Sequence, residues 1–200
     1  MAVAAATQPD TPQTEQRRLT TADLDLVHAV REGDRVDLIG GEVFVTPAPD
    51  MGHQEALANL FSLIDRHVRE HRQGKLYFHP VAVHLSDHDV VQPDLVFLST
   101  ERMGLRRRRG IFGPPDLVVE ALSPATRDLD LGARRELYER SGVREYWVLD
   151  PRARTATLLR LADGRFAEAA SDDGLVRSEV VPGLVVDPAD VFADLPGDEA

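Results

Sequence analysis

Two apolar, strand-like runs constrain the fold of this chain more than any other feature, because each carries one carboxylate. The runs are QPDLVFLS (92–99), which contains Asp94, and PPDLVVEALSP (114–124), which contains Glu120. Burying an ionised carboxylate among Val and Leu is costly unless a cation compensates it, and a divalent metal is a common compensating ion. Two such strands, followed by a basic helix (128–143), indicate a metal-dependent site for phosphodiester cleavage.

Strand geometry selects Asp94 and Glu120 as the pair. Asp116 lies four residues before Glu120 in the same run, so their backbones would be ~13 Å apart, too far for two short carboxylates to share an ion. Neighbouring strands are only ~4.8 Å apart, and Asp94 can therefore meet Glu120 if the two strands pair. A few oxygen ligands favour Mg²⁺ or Mn²⁺ over zinc. The alternative makes Asp94 a turn residue and Glu120 the partner of a core arginine.

The helix after the second run supplies a candidate cation. A period of 3.6 residues places Leu131, Arg134 and Tyr138 on one stripe, with Arg135 beside it. This spacing predicts that Arg134 points toward the sheet. The alternative is an arginine that extends along the helix edge to reach water.

Two further residues are auxiliary candidates for the site. Glu42 follows a Gly-Gly turn and is also compatible with a surface position in a hairpin. His53 precedes the longest predicted helix, where capping or a core hydrogen bond is the competing role. The chain contains neither a nucleophile elbow nor a phosphate-binding GxxxxGK motif.

The order of elements predicts an α/β (α+β) fold with a mixed central sheet flanked by helices. Additional hairpins are expected toward the N-terminus, around Gly-Gly in 35–49, and toward the C-terminus, around Asp-Gly in 155–170. The longest helix is predicted over 53–74, ending at its glycine. Segment 75–87 is predicted as a strand interrupted by proline, and 100–113 as a loop.

The chain length is typical of one domain with irregular ends. We expect a disordered tail over 1–18, a single domain over 19–195 that opens with a short helix (19–30), and an acidic tail over 196–200. No apolar run approaches the ~20 residues that span a bilayer, and the N-terminus lacks the features of a secretory signal. The absence of cysteine is compatible with a cytoplasmic protein.

Charge distribution matters more than the net charge of −11. That total argues against a non-specific nucleic-acid coat, because phosphate binding depends on clustered Lys and Arg. Local basic patches are nevertheless compatible with DNA. The candidate DNA contacts are Arg106, Arg107, Arg108, Arg109, Arg127 and Arg135.

These motifs carry a family resemblance. PDLVFLS, followed by PPDLVVEALSPATRDLDLGARRELYERSGVREYWVLDP, resembles the Uma-two family of restriction endonucleases, a branch of the PD-(D/E)xK nuclease superfamily. The likeness extends from LTTADL at residue 19 to VVPGLVVDPADVF, which ends at residue 192. It implies a restriction-endonuclease-like core in which Asp94 and Glu120 bind Mg²⁺ or Mn²⁺. It also implies that the superfamily's lysine has moved from the strand to the following helix.

The chain departs from that pattern at the lysine. The strand position two after Glu120 is Leu122, and the helix position four before Tyr138 is Arg134. Arginine keeps the positive charge but does not readily act as a general base, because its pKa stays above ~12. Activity is therefore expected to survive only if the lysine's role is electrostatic.

The resemblance implies an endonuclease that hydrolyses DNA, with Asp94 and Glu120 holding the metal and Arg134 stabilising the developing negative charge. The second hypothesis is a catalytically impaired nuclease fold that binds DNA or a protein partner. We also expect a homodimer, since restriction-like nucleases often act as dimers and Tyr146 and Trp147 close an apolar strand.

Overall fold

The computed structural model describes residues 18–23 and 35–197. The predicted helix over 19–30 is observed only in part: residues 19–20 are not helical, 21–23 are helical, and 24–30 lie outside the described residues. The predicted tails also lie largely outside them, at 1–17 and 198–200.

Strands dominate the described residues. In chain order they are β1 (Arg35–Ile39), β2 (Glu42–Thr46), β3 (Gly74–Phe78), β4 (Val83–Ser86), β5 (Asp89–Val91), β6 (Leu95–Ser99), β7 (Arg106–Arg107), β8 (Gly110–Phe112), β9 (Leu117–Ala121), β10 (Glu145–Asp150), β11 (Thr155–Ala162), β12 (Arg165–Glu168), β13 (Val176–Arg177) and β14 (Val185–Val186).

These strands build two six-stranded sheets and a small two-stranded one. The first sheet has the order β2-β1-β5-β4-β8-β7, and the second has the order β12-β11-β10-β9-β6-β3. Both are mixed, because β4 runs parallel to β8 and β9 runs parallel to β10 while the other neighbours are antiparallel. The predicted α/β class with mixed strand directions is confirmed, although two large mixed sheets are present where the sequence predicted one central sheet.

Both predicted hairpins are present. The β1–β2 hairpin turns at Gly40 and Gly41, which have positive φ of 60° and 81°. The β11–β12 hairpin turns at Asp163 and Gly164, with positive φ of 51° and 77°, as an Asp-Gly two-residue loop requires.

The longest helix, α1 (Met51–His71), covers one face of the second sheet. Asp50 caps it by accepting the His53 N–H at 2.9 Å, and the predicted stripe of Leu57, Leu60, Ile64 and Val68 is buried. The helix ends earlier than predicted. Arg72 takes the left-handed capping position, and Gly74 begins β3 instead of closing the helix.

The other face of the second sheet packs against the first sheet. Val96, Leu98 and Val118 meet Val83 and Val91 of the first sheet in a shared core. Strands β6 and β9 are consequently buried on both faces, which explains their continuous apolar sequences. A carboxylate at the end of either strand therefore lies between packed layers.

The predictions for two connecting segments were wrong. Segment 75–87 is not one interrupted strand, because β3 and β4 lie in different sheets. Segment 100–113 is not an irregular loop: it contains a 3-10 helix (Thr100–Leu105) and the β7–β8 hairpin. Short elements of this kind have little periodicity to detect.

The basic helix is continuous but irregular. It comprises α2 (Arg127–Leu129), a π-helical segment (Asp130–Arg134) and α3 (Arg135–Ser141), which ends at left-handed Gly142. The wider π turn shifts the helical register. As a result Leu131, which the 3.6-residue period placed on the inner stripe, is 40% exposed, while Asp130 is buried in its place. A short helix, α4 (Pro188–Val191), follows β14.

Candidate active site

The two carboxylates predicted from the sequence lie side by side. Strand β6 pairs with β9 so that Leu95 is opposite Val119, and continuing this antiparallel register by one residue places Asp94 opposite Glu120. Asp94 is 5% exposed and Glu120 is fully buried. The strand pairing on which their association depended is therefore observed, whereas their role as metal ligands stays a prediction.

A guanidinium group bridges this pair. Arg35 of β1 donates from Nη1 to Asp94 Oδ1 at 2.9 Å, and from Nη2 to Glu120 Oε1 and Oε2 at 3.1 and 2.9 Å. The contact matches the alternative in which Glu120 pairs with a core arginine. Sequence reasoning missed Arg35, because nothing in its local pattern distinguishes it from other arginines of the chain.

Arg134 lies beside Glu120, on the side of the site away from solvent. Its Nε donates to Asp37 Oδ2 at 2.9 Å, its Nη2 also donates to Asp37, and its Nη1 donates to Asp130. The same Nη1 lies 3.8 Å from Glu120 Oε2. Arg134 is fully buried and points toward the sheet, as the helical period predicted.

Asp37 is the second residue that the sequence missed. It is fully buried in β1, and its other oxygen accepts the Gln92 N–H at 2.8 Å. The available signal was an aspartate among the apolar residues of a predicted strand, the same signal that identified Glu120. The six charged residues at this place are hereafter the carboxylate–arginine cluster: Arg35, Asp37, Asp94, Glu120, Asp130 and Arg134.

Neutral groups fix the orientation of the two central carboxylates. The Tyr138 hydroxyl donates to Glu120 Oε1 at 2.6 Å, and the Ala121 N–H donates to Asp94 Oδ2 at 2.8 Å. His53 Nε2 lies 3.5 Å from the same Asp94 oxygen. His53 is thus brought to the site, as the sequence suggested for an auxiliary residue.

The cluster contains more negative than positive groups. Four carboxylates face two guanidiniums, which leaves two formal negative charges when all are ionised. Burial raises the pKa of Glu120 to about 7, against the opposing effect of Arg35 and Arg134. Burial likewise raises the pKa of Asp130. The cluster therefore tends to bind protons near neutral pH.

Asp94 behaves differently from Glu120. Burial alone would raise the pKa of Asp94, but His53 and Arg35 hold it well below its ordinary value. Burial would lower the pKa of His53, yet the adjacent Asp94 raises it. One carboxylate of the central pair is thus held ionised, while its neighbour shifts toward the protonated form.

The donor set fits a hard divalent cation. Asp94 and Glu120 offer adjacent oxygens, and two excess negative charges match the charge of Mg²⁺ or Mn²⁺. Within residues 18–23 and 35–197, no group of three or more His, Asp or Glu side chains has the arrangement of a metal site. Water or phosphate oxygens would therefore have to complete the coordination, which is usual for Mg²⁺. A cation between Asp94 and Glu120 would also have to replace Arg35 there.

A cleft of about 140 Å³ opens onto the cluster from solvent. Arg35, His53 and Asp94 line it, together with Ser123 and Thr126 from the turn after β9. Glu120 and Arg134 lie behind this wall and do not line the cleft. A substrate in the cleft would thus meet Asp94 and Arg35 first.

Other predicted residues lie elsewhere. Glu42 is exposed at the turn end of its hairpin, as the alternative of a surface position predicted, and is not part of the carboxylate–arginine cluster. Arg127 pairs with Asp150 at 2.7 Å. Arg135 lies at the helix edge beside β12, near Phe166 O.

The four consecutive arginines are exposed and form strand β7 and the turn that leads to β8, and Arg107 stacks over Phe112 at 5.9 Å. Strand β7 is four strands from β1, or roughly 19 Å across the sheet. Arg106, Arg107, Arg108 and Arg109 thus lie apart from the cluster.

The residues on which a dimer was predicted are not at the surface. Tyr146 and Trp147 are 0% and 1% exposed, because both lie in β10 between packed layers. Tyr146 instead donates to the Asp130 carbonyl at 3.0 Å and supports the π segment. Their burial removes one of the two grounds for expecting a homodimer, and the homodimer itself stays a prediction.

Comparison with known proteins adds to this picture. The model of the Uma2 family, described as "Putative restriction endonuclease", matches residues 22–189. The crystal structure of "a putative nuclease belonging to DUF820" from Anabaena variabilis ATCC 29413 is similar, with a TM-score of 0.66 and 20% identity, over 78% of this chain and 89% of that chain. No curated protein matches the chain. The restriction-endonuclease-like fold is confirmed.

Among the helices of the described residues, none is both long and apolar enough for a membrane span.

Proposed function

Because the chain belongs to the Uma2 family, we propose that it is a metal-dependent endonuclease that hydrolyses phosphodiester bonds in DNA. The observation that carries this proposal is the adjacency of Asp94 and Glu120 on paired strands, with Asp94 in the wall of a solvent-accessible cleft and Glu120 directly behind it. The excess negative charge of the surrounding cluster supports cation binding at that position.

Asp94 and Glu120 would hold Mg²⁺ or Mn²⁺. Such an ion, when bound, polarises the scissile phosphate and lowers the pKa of the attacking water. His53 orients Asp94 from the cleft side, and Arg35 is the cluster cation that lines the cleft. Arg35 therefore has access to a phosphate oxygen if it turns away from the carboxylates.

Arg134 acts through charge and position in this proposal. Its guanidinium keeps its proton, since neighbouring carboxylates outweigh burial and raise its pKa well above the ordinary value. It is held by Asp37 and Asp130 and faces Glu120 at 3.8 Å. It therefore stabilises the ionised cluster and does not exchange protons with the substrate.

A second candidate function is a nuclease fold that binds DNA or a protein without cleaving it. The observation that favours it is the engagement of both cluster arginines with carboxylates. Arg35 occupies the place between the two candidate ligands, and Arg134 does not line the cleft. Arg134 stands where the family resemblance implies a lysine. It is not among the described cleft-lining residues that a substrate would contact.

Calorimetric titration with Mg²⁺ and Mn²⁺ tests the metal site. Asp94→Asn and Glu120→Gln should each abolish binding, because each removes a ligand charge. Asp116→Asn is the matched control: it removes a buried carboxylate at the other end of β9, which binds the Ser99 N–H and Arg144. Unchanged metal affinity in both cluster variants would contradict the site assignment.

Cleavage assays with supercoiled plasmid and single-stranded DNA separate the two functions. The endonuclease proposal expects metal-dependent nicking by the wild type and its loss in Asp94→Asn. Arg134→Lys tests for a disabled enzyme, in which the wild type is silent and lysine restores cleavage. Metal binding without cleavage in both proteins would favour the binding function.

A further inference from the structure

A second cleft, of about 280 Å³, lies at the carboxyl ends of the parallel strands β9 and β10. It is bordered by the start of α1 and by the turns that follow these strands. We propose that Arg152 and Arg154, which line this cleft, bind the phosphate backbone of the DNA strand that enters the active site. The inference rests on the proposed function and assigns the path of its substrate.

The two arginines are available for an external anion. Both are exposed, and within the described residues neither makes an ion pair. Neighbouring arginines differ in this respect: Arg127 pairs with Asp150, and Arg144 pairs with Asp116. Two unpaired cations on one side of a cleft, in a chain of net charge −11, mark a local site for negative charge.

The loop that carries these arginines is held in place. Asp150 Oδ1 accepts the N–H groups of Arg152 and Ala153 at 3.1 and 3.0 Å, and its Oδ2 accepts from Arg127 at 2.7 Å. Both oxygens of one carboxylate therefore fix the turn after β10. A preformed turn reduces the entropy lost when its side chains bind a ligand.

Arg154 also has an unfavourable backbone conformation. Its φ of 53° lies in the left-handed region, where glycine or asparagine is preferred over other residues. A glycine would suit this turn better than an arginine, so replacing Arg154 with glycine removes the side chain without straining the backbone.

The position of this cleft fits the path of a strand toward the carboxylates. Asp50, Met51 and Gly52 border it, whereas the next residue, His53, lines the active-site cleft. Similarly, Pro124 borders the arginine cleft and Ser123 the active-site cleft. The two clefts thus meet along the first turn of α1 and the turn after β9.

Fluorescence anisotropy with a short labelled DNA duplex and its single strand, in chelator so that cleavage cannot intervene, tests the proposal. Arg154→Gly should weaken binding roughly tenfold, as expected for one lost charged hydrogen bond. It should also lower the slope of log affinity against log salt by about one. Adding Arg152→Gln should lower that slope by about one more. Thermal stability should be unchanged or higher, because glycine relieves the left-handed strain.

Arg72→Gly is the matched control. Arg72 is also a left-handed arginine, with φ of 54°, but it caps the far end of α1, about 30 Å from the helix start. Both variants change the net charge equally and both relieve strain, so only Arg154→Gly should weaken binding.

Equal DNA affinity and salt slope in the two variants would overturn the inference while leaving the endonuclease proposal intact. Absence of both binding and metal-dependent cleavage in the wild type would overturn both.

Discussion

Removal of the buried charge at Arg134 should destabilise the protein in a pH-dependent way. Arg134→Met retains an unbranched side chain but leaves Asp37 and Asp130 without their principal cation. All three residues are essentially inaccessible to solvent. Breaking a buried ion pair by removing one partner costs about 3–5 kcal/mol, since the remaining charge stays desolvated. For a chain of this length this corresponds to roughly 6–20 °C in Tm.

The pH dependence follows from the carboxylates that remain. Arg134 lowers the pKa of both Glu120 and Asp130, so its removal raises these two folded-state pKa values further above the unfolded ones. A raised folded pKa contributes stability below the unfolded pKa, and this contribution is lost as the pH rises through the folded value. The two folded proteins therefore differ in protonation of Glu120 once the pH passes its wild-type pKa of about 7, and the deficit of the variant should grow as the pH rises above that value.

Denaturant unfolding across this range measures the effect. Trp147, the single tryptophan, is buried in β10 and reports the transition. Arg177→Met is the control, because Arg177 pairs with Asp173 at a half-exposed surface site, where an ion pair contributes little to stability. A deficit for Arg134→Met that is the same at every pH would refute the electrostatic reasoning and leave only lost packing.

Three other predictions address the metal, the reaction and the fold. Mg²⁺ binding at about pH 6.5 should release on the order of one proton, because Glu120 has a pKa of about 7 and must ionise to bind the metal. Calorimetry in buffers of different ionisation enthalpy measures the number of protons released. For the same reason, cleavage at limiting Mg²⁺ should rise with pH through about 7, and a flat profile would argue against Glu120 as a ligand. Glu145→Gln should cost about 2–3 kcal/mol and expose the chain after β12 to proteolysis, because Glu145 accepts from Ser178 Oγ and the Glu179 N–H.

The sequence was sufficient to predict the core of the site because local patterns encode it. A carboxylate within an apolar strand is a strong signal, and strand spacing alone excluded Asp116 in favour of Asp94 as the partner of Glu120. Asp116 indeed lies at the opposite end of β9, where it binds Arg144 and the Ser99 N–H. Both hairpins and the buried stripe of α1 were predictable for similar reasons.

The rest of the site depends on contacts between distant segments. Arg35 is 59 residues from Asp94 and 85 from Glu120, and no local period indicates that β1 lies over this pair. The π segment was equally inaccessible, since one widened turn changes which residue faces inward while leaving the sequence typical of an α-helix. Asp130 was missed for that reason.

The arginine at position 134 is explained by the residues around it. A guanidinium presents a planar fork, and here Nε and Nη2 bind Asp37 while Nη1 binds Asp130. A lysine has one nitrogen on a flexible stem and could not reproduce both contacts with this geometry. Arginine at this position therefore fits a site that needs two buried carboxylates neutralised together. The group of the cluster that exchanges protons near neutral pH is then Glu120, whose pKa burial raises to about 7. Any pH dependence of metal binding should accordingly follow the carboxylates and not residue 134.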